Sequence, residues 1–386
     1  MAEAQAAFEP DRVQGAPHPR ETAQLFGQAP AEAAFLEAFR SGRMHHGWLI
    51  TGPRGVGKAT LAWRIARFLL ASPAADDGLF GAPPPPADLS VPADHPVARR
   101  VAALSEPGLK LIRRSLNERG VLRQIIAVED VRELRSFFGL SAADGGWRVV
   151  IVDAADEMNP NAANALLKLL EEPPAGAVLL LVAHQPSRLL PTIRSRCRAL
   201  RLAPLGAQDM AAALSQAQGE AGAEDPLDPA QAVALAELSG GSVGEAVRIL
   251  GQDGLALYAQ LIALMSGLPA MDRNALQALA DGLAARGAEA RFDLTVRLVD
   301  LAMSRLARAG ASGLSPPEAA PGEAALLGRL APDPAAARLW AELAMELGVR
   351  ARQGRAVNLD PAALVLDMFL RIEAAARTLA PRTPPR

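Results

Sequence analysis

A glycine-rich segment between a short apolar run and a helical pattern constrains the fold of this chain most. The segment Gly52-Pro53-Arg54-Gly55-Val56-Gly57-Lys58 fits the pattern G-x4-G-K. In that pattern the glycines let backbone N–H groups surround phosphate oxygens, and the lysine neutralises their charge. Residues 47–52 are typical of a buried strand and residues 60–70 of a helix. A strand, a phosphate-binding loop and a helix in this order predict an α/β fold.

Further apolar runs extend this pattern through the first half of the chain. The predicted strands span 109–115, 148–152, 177–182 and 198–202. The predicted helices span 31–39, 129–138 and 161–171. Alternating strands and helices indicate a parallel sheet with helices on both faces. After Pro204, leucine and alanine recur at helical spacing almost to the end, so the second half is predicted to be helical.

Changes in composition predict the domain boundaries. The chain has 386 residues, enough for two or three domains at about 100–200 residues each. Residues 1–24 are interpreted as a flexible leader, and the proline-rich residues 72–95 as a surface insertion. The predicted domains are 25–205 (α/β), 206–252 (small and helical) and 253–378 (a helical bundle), followed by a loose tail at 379–386.

The position after Lys58 lacks the hydroxyl that usually ligates magnesium in such a loop. A serine or threonine is needed there, and this chain has Ala59. Thr60 follows, but one residue along a helix points about 100° away. The candidate residues of a degenerate nucleotide site in this segment are Gly52, Gly55, Gly57, Lys58 and Thr60.

A second acidic position follows the predicted strand 148–152. Asp153 stands where a carboxylate can face magnesium, with an ordinary strand-end turn residue as the alternative. The next residue is Ala154, and loss of a general base at this point costs about 10²–10⁴ in rate. Asp156 and Glu157 are interpreted as solvated or helix-start charges. Asn159 and Pro160 predict the start of the next helix, as N-cap and first helical residue.

Charge and cysteine content limit the remaining functions. The formal net charge is -2, so any contact with nucleic acid needs a local basic patch. Cys197 is the single cysteine, which excludes a disulfide framework and a four-cysteine zinc site. The N-terminus is not a signal peptide, and no run approaches the roughly 18 apolar residues of a membrane span. We therefore expect a cytoplasmic protein without zinc or membrane contact.

Two further segments carry a resemblance to a known family. They are NALLKLLEEPP at 164–174 and LPTIRSRC at 190–197. Together with the glycine-rich loop they resemble the clamp-loader subunits of bacterial DNA polymerase III, over about residues 20–250. The resemblance implies a P-loop AAA+ domain at 25–205, a helical lid domain at 206–252 and a helical collar domain at 253–378.

Within that family the chain resembles an accessory subunit more than the ATP-hydrolysing gamma/tau motor. The motor would keep threonine after the lysine, Asp-Glu at the second motif, a polar residue at Ala183 and an arginine at Gly244. The four-cysteine zinc module of the family is replaced by residues 72–95. The resemblance therefore implies a subunit that requires no cofactor and binds ATP weakly at most.

Arg196 is the residue to which the resemblance assigns a role. In the family, the arginine of the Ser-Arg-Cys triplet points into a neighbouring subunit's ATP site, where an arginine supplied in trans is worth about 10³–10⁵ in rate. From charge alone an ordinary surface arginine is favoured, because three more arginines lie close by, but the resemblance reverses that preference. Ser195 is expected to order the turn and Cys197 to pack as a small apolar residue.

The resemblance also implies partners. They are the gamma/tau motor, the delta clamp opener, the sliding clamp and primed DNA. DNA would be bound through its phosphates, which carry no sequence code. Arg132 and Arg135 on the helix 129–138 are the candidates for that contact, with a solvated helical face as the alternative.

Three other functions stay open. An active ATPase motor of the same ring class is disfavoured by Ala59 and Ala154. A nucleotide-regulated binding module that grips ATP without cleaving it is compatible with the intact loop and Asp153. A P-loop kinase for a small molecule would leave the segments at 164–174 and 190–197 unexplained.

Overall fold

The computed structural model describes residues 9, 12–72, 85–139, 146–221 and 227–379. These residues form two compact units. The first contains the described residues of Met1–Leu205, Ala212–Glu224 and Ser242–Gly244. The second contains those of Gly206–Ala211, Asp225–Gly241 and Glu245–Arg386. The main division follows Leu205, whereas the residues of the predicted lid domain are shared between the two units.

The first unit is built on a five-stranded sheet of parallel strands. The strands are β1 Gly47–Thr51, β2 Leu109–Arg113, β3 Arg148–Asp153, β4 Ala177–Ala183 and β5 Arg198–Arg201. Their spatial order is β2-β3-β4-β1-β5. All seven residues of β4 are buried, as expected for a central parallel strand with both faces covered. The predicted α/β fold with a parallel sheet is confirmed.

Six helices are described in the first unit before the end of the sheet. They are α1 Ala29–Arg40, α2 Lys58–Ala71, α3 Pro96–Ala102, α4 Val128–Gly139, α5 Pro160–Glu171 and α6 Pro191–Arg194. The predicted start of α5 is confirmed, because the Asn159 side chain accepts a hydrogen bond from the Ala162 N–H at 2.7 Å. Residues 85–95 of the predicted insertion form bends and turns, and 73–84 lie outside the described residues.

The sheet brings the candidate nucleotide residues to one edge. Thr51 pairs with Ala183, and Asp153 pairs with Val182. The glycine-rich loop, Asp153 and Ala183 therefore all lie at or just beyond the carboxyl ends of β1, β3 and β4. Ligands of open parallel sheets bind at this edge.

The described residues of the N-terminal segment pack against the first unit. His18 is fully buried. Arg67, on α2, donates to the Thr22 carbonyl at 2.6 Å and also to the Arg20 carbonyl. The interpretation of 1–24 as a flexible leader therefore does not describe residues 12–24, because buried arginines take their carbonyls as acceptors. Residues 1–8, 10 and 11 of the leader lie outside the described residues.

After β5 the described residues contain helices and their connections, as predicted. The helices are α7 Ala207–Ala221, α8 Pro229–Leu238, α9 Val243–Gly251, α10 Gly254–Ser266, α11 Arg273–Ala284, α12 Glu289–Ser312, α13 Glu323–Leu330, α14 Pro334–Ala356 and α15 Pro361–Leu379. Among the described helices none is by itself long and apolar enough to cross a membrane. The pair α9 and α10, bent by 79°, reaches the required length and composition only when the two are joined.

The core of the second unit contains a charged cluster. Arg305 on α12 is fully buried and donates to Glu323 at 2.6 Å and to Glu237 at 2.7 Å. The Tyr258 hydroxyl donates to the same Glu323 carboxylate at 2.6 Å. Buried charges are tolerated when they are paired and hydrogen-bonded in this way. The cluster therefore ties α8, α10, α12 and α13 together.

Candidate functional site

The glycine-rich loop has the backbone conformation that its sequence predicts. Gly55 has a φ angle of 75° and Gly57 one of 98°, values that residues with a Cβ rarely adopt. Gly57 is the N-cap residue of α2, so Lys58 is the first helical residue. Thr60 is half-buried in the same first turn. The loop therefore leads from β1 directly into the N-terminus of a helix, which favours anions.

Lys58 is bound to its own loop. Its Nζ donates to the Gly52 carbonyl at 2.8 Å and also to the Pro53 carbonyl. Only 3% of the residue is exposed. Burial lowers the pKa of Lys58 to about 8, against the opposing effect of Asp153 and Asp156. The ammonium group that would neutralise a phosphate thus has internal acceptors.

Other parts of the first unit contact the loop. The Gly244 N–H donates to the Gly55 carbonyl at 3.3 Å. A Cβ placed on Gly55 would lie 2.2 Å from Ser242 Oγ, and one on Gly57 would lie 2.5 Å from Leu25 Cδ1. Gly244, where the family resemblance implies an arginine, therefore contacts the loop through its backbone.

The acidic residues after β3 have different partners. Asp153 ends β3 and is half-buried, whereas Ala154 is buried. Asp156 accepts hydrogen bonds from the backbone N–H groups of His184 at 3.0 Å and Gln185 at 2.9 Å. Asp156 thus holds the turn after β4 and is not a solvated charge, whereas the helix-start alternative agrees with its place in the short helix Ala155–Glu157.

Two further side chains complete the surroundings of the loop. Glu157, in the same short helix, pairs with Arg114 at 2.9 Å and with Arg54 at 3.3 Å, so of the two interpretations only the solvated charge is wrong. Burial, followed by repulsion from Lys58 and Arg54, lowers the pKa of His184 to about 4. The imidazole is therefore neutral at pH 7, which avoids a further positive charge beside Lys58.

The residues at this edge fit a magnesium–ATP complex poorly. Ala59 has no hydroxyl for the metal, and Ala154 cannot act as a base. Lys58 would have to leave two carbonyl acceptors to reach a phosphate. No catalytic step at this loop follows from such an arrangement.

Arg196 lies on a turn between α6 and β5. Its Nη1 donates to the Thr192 carbonyl at 3.1 Å, and its Nη2 lies 3.1 Å from Glu171 Oε1. Ser195 Oγ donates to the same Thr192 carbonyl at 3.1 Å, so it does contact the turn. The Arg196 side chain is 39% exposed. A permanently charged guanidinium is therefore presented at the surface from a hydrogen-bonded turn.

The base of that turn packs against the start of β1. A Cβ on Gly47 would lie 2.8 Å from Leu170 Cδ2, 3.1 Å from the Arg196 carbonyl oxygen and 3.2 Å from Cys197 Sγ. Cys197 packs against the core of the first unit, and burial raises the pKa of its thiol to about 12. The thiol therefore stays protonated. The missing Cβ at Gly47 lets the start of β1, the end of α5 and the Arg196 turn approach closely.

A groove lies between α4 and α5, with a volume of about 440 Å³. Both arginines predicted to contact DNA, Arg132 and Arg135, line it. Lys168 also lines it, although the sequence predicts no DNA contact for this residue. The other polar residues at the groove are Asn161, Asn164 and Glu172. The groove thus gathers three cations in a chain whose net charge is -2.

The sequence is similar to subunits of DNA polymerase III. Residues 27–206 match the family model described as DNA polymerase III, delta subunit. The chain is 39% identical over 209 residues to DNA polymerase III subunit delta' of Pseudomonas aeruginosa, covering 54% of this chain and 56% of that protein. It is 30% identical over 339 residues to subunit delta' of Escherichia coli K12, covering 88% and 92%.

A more distant relative is DNA polymerase III subunit gamma/tau of Mycobacterium tuberculosis H37Rv. The two are 28% identical over 289 residues, which are 73% of this chain and 46% of that protein. The chain therefore spans about half the length of the Pseudomonas and Mycobacterium relatives and nearly all of the Escherichia one.

Proposed function

This chain belongs to the delta-prime subunit family of DNA polymerase III, and on that premise we propose that it is a clamp-loader subunit without ATP hydrolysis of its own. It supplies Arg196 to the ATP site of a neighbouring subunit. Its partners are the gamma/tau motor, the delta clamp opener, the sliding clamp and primed DNA. The observation that carries the proposal is the contrast between Lys58, bound inside its loop, and Arg196, presented at the surface.

The glycine-rich loop supports the proposed absence of ATP hydrolysis by this chain. Lys58 binds two carbonyl groups of its own loop, and Ala59 and Ala154 lack the groups for metal binding and proton abstraction. Loss of a general base alone lowers a rate by about 10²–10⁴. Turnover by the isolated chain is therefore expected to be undetectable.

The Arg196 turn supports the proposed donation of this arginine to a neighbouring ATP site. A guanidinium stabilises the charge that spreads over a transferred phosphoryl group, provided that it is held in place beforehand. The Arg196 turn is fixed at its base by Gly47, Leu170 and Cys197, while the side chain itself reaches solvent. A neighbouring subunit can therefore receive an oriented arginine without rearrangement of the donor's backbone.

The groove between α4 and α5 supports a contact with DNA. Arg132, Arg135 and Lys168 can bind phosphates, and Asn161 and Asn164 add amide donors. Such contacts position a duplex without reading its sequence. They suit a subunit that must accept any primed site.

The test is a reconstitution of the chain with gamma/tau, delta, clamp and primed DNA. ATP hydrolysis is measured for the unmodified chain, for Arg196→Ala and for the matched control Arg194→Ala. Arg194 is the last residue of α6, two positions before Arg196, and is exposed. We expect Arg196→Ala to remove most of the DNA-stimulated hydrolysis at the neighbouring site, because an arginine in trans is worth about 10³–10⁵ there. The control should retain it.

Two results would redirect the assignment. Hydrolysis by the isolated chain would favour the active motor. An unchanged rate for Arg196→Ala in a fully assembled complex would refute arginine donation. In that case ATP binding by the isolated chain without magnesium would support the nucleotide-gripping module, which the intact loop Gly52–Lys58 favours.

A further inference from the structure

We propose that Glu171 is a positioning residue that holds Arg196 within its own subunit and competes with the neighbouring nucleotide for the guanidinium. The inference rests on the proposed function of Arg196. Its first support is the ion pair between Arg196 Nη2 and Glu171 Oε1, at 3.1 Å. Glu171 is the last residue of α5, so a helix end supplies the carboxylate.

The backbones on both sides of this pair are fixed. Leu170, next to Glu171, is 2% exposed, and its carbonyl accepts a hydrogen bond from His46 Nε2 at 2.9 Å. The Arg196 turn approaches Gly47, the residue after His46, so closely that a Cβ there would lie 3.1 Å from the Arg196 carbonyl oxygen. The start of β1 therefore holds the end of α5 and the turn side by side. Only side-chain torsions can separate the two charges.

Within this proposal, Glu171 and a phosphate compete for the terminal edge of the Arg196 guanidinium. Its two terminal nitrogens already contact Thr192 and Glu171. Two-pronged binding of a phosphate by arginine uses two N–H groups on one edge of the guanidinium. Since arginine does not lose its proton, moving it to a phosphate means exchanging one negative partner for another. Glu171 thereby sets how readily Arg196 becomes available.

The strength of the pair indicates that Glu171 biases Arg196 and does not lock it. The two side chains are 39% and 44% exposed. Ion pairs with this exposure change an equilibrium by roughly two- to fivefold. A triphosphate with several charges can overcome such a bias. Removal of the carboxylate should therefore raise the donated fraction of Arg196 by about that factor.

The experiment uses the assembled clamp loader with primed DNA at ATP concentrations below saturation. Glu171→Gln keeps the shape of the side chain and removes its charge. The matched control is Glu133→Gln, which makes the same charge change on the same unit and removes the Lys110 ion pair at 2.7 Å. We expect kcat/KM for ATP to rise roughly two- to fivefold for Glu171→Gln at low salt, and this gain to shrink as salt screens the pair. The control should stay at the unmodified value.

An Arg196→Ala background separates the possible outcomes. There, Glu171→Gln should change nothing, since no guanidinium remains to be released. If Arg196→Ala slows hydrolysis but Glu171→Gln leaves it equal or lower, competition by Glu171 is refuted and arginine donation stands. If Arg196→Ala itself has no effect, the proposed function fails, and the inference about Glu171 fails with it.

Discussion

Arg305 offers the sharpest test of how the second unit is held together. The side chain is fully buried and donates to Glu323, Glu237 and the Pro317 carbonyl. Replacement by methionine keeps most of the volume and removes the charge. Glu323, also fully buried, would keep two donors among the described residues, the Tyr258 hydroxyl and the Ala319 N–H. Removing one partner of a buried pair costs about 3–5 kcal/mol, so Arg305→Met should lose that much stability.

The matched control is Arg371→Met. Arg371 pairs with Glu346 at 2.6 Å and with Asp367 at 3.1 Å, but its side chain is 36% exposed. Exposed pairs contribute up to about 1 kcal/mol. The two variants make the same chemical change on helices of the same unit. A difference of about 2–5 kcal/mol between them would then report the burial of the Arg305 cluster.

The assay is urea-induced unfolding followed by circular dichroism, because the second unit is helical. Hydrogen exchange of α12 locates the loss in that unit. The double variant Arg305→Met with Glu323→Leu should recover most of the stability, since well-packed apolar residues often replace a buried pair without penalty. If Arg305→Met costs no more than Arg371→Met, or if the double variant is no better than the single one, the electrostatic account of this cluster is wrong.

Two more predictions concern the first unit. In the assembled complex, the double variant Arg132→Ala with Arg135→Ala should weaken binding of primed DNA. Fluorescence anisotropy should show the slope of log K against log salt reduced by about two. The control Arg119→Ala, at an exposed arginine, should leave the slope unchanged. Lys58 should titrate in an NMR experiment near its lowered pKa of about 8, not near 10.5. The folded chain loses this proton at lower pH than the unfolded chain does. The contribution of Lys58 to stability should therefore rise as the pH rises from about 8 toward 10.5. A titration midpoint near 10.5 in the folded chain would contradict the burial of Lys58.

The strands and the start of α5 could be predicted because their signals are local. The strands β1, β3 and β4 are mainly apolar runs, and the observed β1 and β5 end one residue before the predicted limits. Asn159 and Pro160 mark the start of α5 through capping chemistry that needs no other segment. In contrast, α3 was missed because its seven residues make barely two turns and give little periodicity.

The partners of the charged residues could not be predicted, because they come from distant segments. Asp156 binds the backbone after β4 only because β3 and β4 are neighbours in the sheet. Arg67 binds carbonyls of the N-terminal segment, although the sequence of that segment predicts a flexible leader. Arg305 binds Glu237 across 68 positions of the chain. Composition gives the sign of such charges, whereas their roles depend on tertiary approach.

The geometry of β1 explains how the two parts of the proposed function, a loop without ATP hydrolysis and a turn that donates Arg196, can be independent of each other. The glycine-rich loop begins at Gly52, after the carboxyl end of the strand, whereas the turn of Arg196 packs on Gly47 at its amino end. At about 3.3 Å per residue these two points are about 16 Å apart. Changes such as those at Ala59 and Ala154 therefore act at one edge of the sheet without touching the packing that orients Arg196 at the other. A residue whose proposed target lies in a neighbouring subunit does not need a working ATP site in its own.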